Sequence, residues 1–106
     1  LSPDKHDKIL AFISHLPHAT AFALINSVPE QYLKFAATGL RDTTRIAGSD
    51  ALLWSDIFLT NRANLIKGIE TLQKNLSAIK SAVIHKDKEL LLKILAQASR
   101  KRDTLS

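Results

Sequence analysis

The stretch HDKILAFISHLPHATAFALI, residues 6–25, decides the fold of this chain. From Ile9 to Ile25 apolar residues fall on almost every side of a helical projection, so the segment reads as a helix enclosed by protein all round. Ser2 or Asp4 is placed to cap it, and Pro3 suits its first turn. Such a helix in so small a chain is also expected to meet a second subunit. Inside it stands Pro17, which lacks an N–H and, at a cost of about 3 kcal/mol in a helix interior, removes one ladder bond and bends the rod. His15 and His18 flank that position, and a deformation kept in the most buried helix fits a site better than plain packing.

Working outward, strand patterns are nearly absent while the 3.6-residue period recurs along the chain, so the domain reads as all-α. Asn26, Ser27 and Pro29 make a turn. The segment from Ser27 to Asp50, punctuated by Pro29, Gly39 and Gly48, is expected to hold at most a short helix around Glu30 to Ala36. Ser49 or Asp50 caps the next helix, through Leu53, Trp54, Ile57 and Phe58, which continues as one rod or as two helices meeting near Asn61. Only Gly68 interrupts it weakly before His85. Leu65, Ile69, Leu72, Leu76, Ile79 and Val83 follow at spacings of four, three, four, three and four, a heptad seam that predicts shallow packing against another long helix. A last helix, about Asp87 to Thr104, offers Leu91, Ile94, Leu95 and Ala98 across a turn at Lys86 to Lys88, giving an antiparallel hairpin.

The 106 residues, 45% hydrophobic and 24% charged, have the balance of one globular domain. At this size only about 65% of the unfolded chain's surface is buried on folding, so the core is thin and oligomerisation is expected. Gly39, Gly48 and Gly68 are too scattered to form a glycine-rich phosphate turn, which excludes a complete dinucleotide-dependent enzyme. Zero cysteines remove disulfides and thiolate chemistry and are compatible with a reducing compartment. No apolar run approaches the ~20 residues of a membrane span, and the opening Leu-Ser-Pro-Asp-Lys is not expected to be a signal peptide. It starts at Leu1 and holds no methionine, so it is expected to begin partway through a longer protein. The net charge of +5 is spread singly, apart from Arg100, Lys101 and Arg102. Those three suit the negative end of a terminal helix dipole, so nucleic acid is not an expected partner.

Four clusters could carry chemistry: His6 with Asp7; Ser14, His15, Pro17 and His18; Gly39 to Ala47; and Asp50 with Trp54 and Asp56. His15 and His18 lack a third ligand nearby, so no metal site is expected, and a histidine on an apolar helix is commonly one that has found a hydrogen-bond partner. Arg41 and Arg45, four apart, repel on one helix face unless an anion lies between them. Arg45 suits a substrate carboxylate through its planar fork, or else closes a local ion pair with Asp42. Trp54, the only tryptophan, is core by default.

Together these clusters resemble a family. The string at 6–25 and the later GLRDTTRIAGSDALLWSDIFLTN, residues 39–61, are similar to the C-terminal helical domain of prephenate dehydrogenases, whose pattern is close to HD…SHLPH…A…L and then G-[FL]-[RK]-D-x-T-R-I-A-x-S-D-x-x-x-W-x-D-I. Ala51 departs from it, where the family commonly has a proline at a helix start. The resemblance implies a fold like the C-terminal domain of 6-phosphogluconate dehydrogenase: a long buried first helix, a central loop and short-helix segment, and a long C-terminal helical hairpin. It also implies that residues 1–106 form one domain that pairs subunits and closes the substrate site.

The implied activity is NAD- or NADP-dependent oxidative decarboxylation of prephenate to 4-hydroxyphenylpyruvate in cytoplasmic tyrosine biosynthesis. The Rossmann domain and the catalytic histidine lie outside this chain in the family, so the chain alone is expected to bind no cofactor and to be inactive. By resemblance Arg45 holds a substrate carboxylate, His18 lines the pocket and affects the response to tyrosine as inhibitor, and Asp42 and Trp54 are gate and wall. Gly39 is grouped with these, and His6, Asp7, Ser14 and His15 with a supporting hydrogen-bond network. An arogenate dehydrogenase domain and a free-standing helical dimerisation module are the competing readings; the SHLPH form leans toward prephenate.

Overall fold

Ser2 opens the first helix. Its extended backbone lets the side-chain oxygen accept from Lys5 N–H at 3.2 Å, and Pro3 fills a position whose N–H would have no partner. In the computed structural model, which describes residues 1–105, helix α1 spans Pro3–Leu10 and α2 spans Leu16–Asn26. Between them Ala11–His15 is π-helical, with Leu16 N–H donating to the Ala11 carbonyl five residues back. Pro17 has no N–H to offer and its ring crowds the preceding turn; a wider turn just ahead of it relieves that crowding. The disturbance expected at Pro17 is thus taken up upstream, in the turn that contains His15.

Enclosure of this rod all round is corrected for the single chain. Ala11, His15 and Ala21 are buried, yet Phe12 is 47% and Ile13 68% exposed. One face is packed by the chain's own elements, and too few of them follow to cover the other. A second correction concerns length: taken as one rod, Pro3–Asn26 has 24 residues and is apolar enough to cross a bilayer by length and composition, a test that core helices of soluble proteins also pass.

The middle segment is more helical than its glycines predicted. After Pro29, Glu30–Phe35 forms a 3₁₀ helix, followed by α3, Thr38–Thr44, and a 3₁₀ turn at Arg45–Gly48. No glycine takes a positive φ, so Gly39 and Gly48 do not break the chain. Thr43 Oγ1 donates to the Gly39 carbonyl at 2.7 Å and Thr44 Oγ1 to that of Leu40 at 2.6 Å, so both hydroxyls fold back on carbonyls in the first turn of α3. Both α3 and the turn after it pack on α2.

Asp50 then caps α4, Ala51–Thr60, accepting from Leu52 N–H at 3.0 Å. Ala51 starts this helix, so the departure from proline is harmless to it. Asn61, at φ −108° and ψ 37°, leaves helical geometry, and α5 follows over Arg62–Ile84: two helices, meeting at the expected residue. Gly68 does not interrupt α5. A Cβ built on it would lie 3.7 Å from Leu16 Cδ2 and 3.9 Å from the Ala11 carbonyl, so α5 runs close against the π turn. Leu65 completes this core, whose buried apolar residues are otherwise alanines.

The chain divides into two compact units, Leu1–Ile69 and the residues from Glu70 onward. In the second, the turn lies where the sequence placed it. Lys86 takes φ 52°, and Asp87 N–H reaches back to the Ala82 carbonyl at 2.9 Å, a C-terminal cap that glycine more often supplies. Asp87 Oδ1 accepts from Leu90 N–H to start α6, Lys88–Asp103, whose last turn carries Arg100, Lys101 and Arg102 as its dipole favours. The heptad row is covered on one side only. Ala82 is buried and Leu72 and Ile79 are partly so, but Leu76 is 63% and Val83 58% exposed, because a two-helix hairpin has one contact face for a row that drifts around the helix.

Candidate functional site

The π turn and the start of α2 bring His15 and His18 against Trp54 of α4. His18 stacks on the indole with centroids 3.5 Å apart and planes at 13°, and His15 meets it edge-on at 6.2 Å and 78°. The ring cluster continues through Phe58, 5.9 Å from Trp54, to Phe22, 6.3 Å from Phe58. Trp54, core by default from sequence, is only partly buried and spends its faces on the two histidines.

Polar partners orient both imidazoles. His18 Nδ1 lies 3.0 Å from the Ser14 carbonyl, and His15 Nδ1 lies 3.3 Å from Asn61 Nδ2, which also donates to the Asp7 carbonyl at 2.8 Å. Burial holds the His15 imidazole below its ordinary value of 6.5; His18 beside it adds to the lowering, and Asp7 opposes it. His15 is therefore a neutral, 9% exposed ring at neutral pH. It lines a cavity of about 250 Å³ with Asp7, Asp56, Ile57, Thr60 and Asn61.

Of the supporting network, His15 and Asp7 are assembled here, while Ser14 contributes its carbonyl. His6 faces Asp7 across 3.9 Å in an exposed pair that is worth little. Arg45, Asp42 and Gly39 lie on α3 and the turn after it. Arg45 and Asp42 are exposed, and no ion pair closes one on the other, so the local-pair alternative is not taken. Gly39 has open space around its Cα, which leaves no steric need for glycine there. Among the described residues no three histidine, cysteine or carboxylate side chains converge as a metal site. The residue sequence reasoning missed is Asn61, read only as a helix joint; its signal was a lone asparagine where two helical patterns meet.

Fold and cluster define an all-α domain with a histidine–tryptophan wall, an exposed arginine and a broad uncovered apolar face. Residues 2–97 match the family described as prephenate dehydrogenase, dimerization domain. The chain is 32% identical to prephenate dehydrogenase of Bacillus subtilis, over 99% of this chain and 30% of that one, and 31% identical to cyclohexadienyl dehydrogenase of Zymomonas mobilis, over 96% and 37%. Among solved structures it superposes with TM-score 0.89 and 39% identity on prephenate dehydrogenase from A. aeolicus in complex with hydroxyphenyl propionate and NAD+, covering all of this chain and 39% of that one. Synechocystis arogenate dehydrogenase gives TM-score 0.91 at 25% identity, over 100% and 41%. The chain belongs to the prephenate dehydrogenase dimerization-domain family. It spans about a third of the length of the curated relatives it matches.

Proposed function

We propose that this chain is the subunit-pairing and substrate-closing domain of an NAD(P)-dependent dehydrogenase that oxidatively decarboxylates prephenate to 4-hydroxyphenylpyruvate. The observation that carries the reading is the His18–Trp54 stack in a chain that matches this family over residues 2–97. The A. aeolicus relative was solved with hydroxyphenyl propionate, a phenol ring bearing a carboxylate. A flat indole–imidazole wall suits such a ring, and Arg45, exposed and with no ion-pair partner among the described residues, suits its carboxylate. Asp42, three residues before Arg45 and equally exposed, is read as the gate. Tyrosine, which shares the phenol and a carboxylate, is read as a competing ligand of the same wall.

The cofactor does not fit the residues described. There is no strand among them, and the three glycines sit in helices or turns with no phosphate-cradling loop, so the dinucleotide is assigned to another part of the parent enzyme. A homodimer is supported by the uncovered side of the 3–26 rod, where Phe12, Ile13 and Leu24 stand exposed in a family named for dimerization. Covering that side with a second subunit, in place of lipid, accords with a cytoplasmic enzyme. Arogenate stays the rival substrate because an arogenate dehydrogenase shares the fold.

Arg45→Ala in the full-length parent tests the reading. We expect KM for prephenate to rise at least about tenfold, the size of a lost charge-assisted hydrogen bond, with the dimer mass unchanged by light scattering. An unchanged KM refutes the assignment of Arg45.

A further inference from the structure

One side-chain amide ties three elements together. Asn61, between α4 and α5, donates through Nδ2 to the Asp7 carbonyl of α1 at 2.8 Å, lies 3.3 Å from His15 Nδ1 in the π turn, and accepts at Oδ1 from Asn64 Nδ2 at 2.9 Å. These contacts leave only one orientation of the amide, since a carbonyl cannot donate and the Asn64 amide nitrogen cannot accept. Facing an N–H, His15 Nδ1 must be the bare nitrogen, so the ring carries its proton on Nε2. His18 is held the opposite way: its Nδ1 lies 3.0 Å from the Ser14 carbonyl, an acceptor only, and so carries the proton. Two histidines against one indole are thereby locked in opposite tautomers.

We propose that Asn61 is a positioning residue for the site. It fixes His15 in the Nε2–H form, pins the π turn to the joint between α4 and α5, and so sets the Trp54 face on which His18 stacks. Its value to catalysis rests on the reading of His18 and Trp54 as a ligand wall; the tautomers do not. The bonds are local and specific. Among the described residues no other hydrogen bond holds the His15 ring, and Trp54 alone, meeting it edge-on, would leave the ring free to flip.

Long-range proton–nitrogen correlation spectra of the histidine rings in this chain, above the imidazole titration range, test this. The expected spectrum shows His15 protonated on Nε2 and His18 on Nδ1. Asn61→Asp keeps the size of the side chain but presents only acceptors, so His15 is expected to move its proton to Nδ1 or gain a second one, with His6 and His85 unchanged. In the parent enzyme the same variant is expected to raise KM for prephenate about two- to tenfold, the worth of one net hydrogen bond, with kcat held within about twofold. Wild-type His15 protonated on Nδ1, or Asn61→Asp leaving the His15 nitrogens unshifted, overturns the assignment; a shifted tautomer with unchanged KM overturns the positioning role. Should Asn61→Asp fail to fold by circular dichroism, the wild-type spectrum decides alone. If the tautomers are as stated while the parent does not turn over prephenate, the proposed function fails and the ring-fixing contact stands.

Discussion

Trp54→Ala removes three ring contacts at once: the His18 stack at 3.5 Å, the His15 edge at 6.2 Å and the Phe58 edge at 5.9 Å. Aromatic pairs are worth about 0.5–1.5 kcal/mol each beyond the area they bury. Since Trp54 is only partly buried, the lower half of the summed range applies, and the expected loss is about 1.5–3 kcal/mol. His18→Ala removes the stack together with the bond to the Ser14 carbonyl, so its own cost does not isolate the ring contact. A double-mutant cycle does, and it is expected to give a coupling of about 1 kcal/mol between His18 and Trp54. The assay is urea unfolding by far-ultraviolet circular dichroism at one fixed chain concentration, because association raises apparent stability, reading midpoints at constant slope. A coupling below about 0.3 kcal/mol, inside the scatter of additive pairs, would refute the view that this stack holds the site together.

Burial and His18 both lower the His15 pKa, so the folded chain resists its protonation more than the unfolded chain does. That contribution to stability is complete above the unfolded value of 6.5 and is lost as the pH falls from there through the lower folded value. Urea midpoints measured downward across that window should fall, and His15→Gln should flatten the slope; a midpoint insensitive to pH in the window, or a slope unchanged by the variant, contradicts this. Gly68→Ala is expected to stabilise the chain by about 0.5–1 kcal/mol, since alanine favours a helix interior. Its Cβ would meet Leu16 and Ala11 only at ordinary contact distances, so a lower midpoint for this variant would show that the approach of α5 to the π turn is tighter than described.

Much of the fold was legible from local chemistry. Ser2 and Asp50, both among the expected caps, cap helices because short oxygen side chains accept from N–H groups that have no helical partner; Asp87, expected only as the start of the last helix, caps it in the same way. The division at Asn61 was legible for a similar reason. What stayed hidden depended on contacts across the chain. Pro17 announced a disturbance, but not that it appears as a π turn upstream, nor that α5 lies against Ala11 and Leu16 there. Gly39 and Gly48 read as breakers, yet neither takes a positive φ and α3 runs through Gly39. Exposure of Phe12 and Ile13 was invisible because helical periodicity counts apolar faces without saying which chain covers them.

Within the site, the histidine pair and Trp54 were singled out by type and resemblance, and the structure brings them into one ring cluster, His18 stacked and His15 edge-on. Arg45 was equally singled out, and it stands exposed on the turn that packs on α2, with no ion pair to it among the described residues. Asn61 could not be found as a partner of His15, since that bond joins residues 46 apart in sequence.

The central claim is that this helical domain serves a prephenate-oxidising enzyme. It is tested most directly by steady-state NAD(P)+ reduction with the purified full-length parent, comparing kcat/KM for prephenate and arogenate. The account predicts turnover of prephenate to 4-hydroxyphenylpyruvate with the larger kcat/KM. No turnover of prephenate, or a much larger kcat/KM for arogenate, would contradict it.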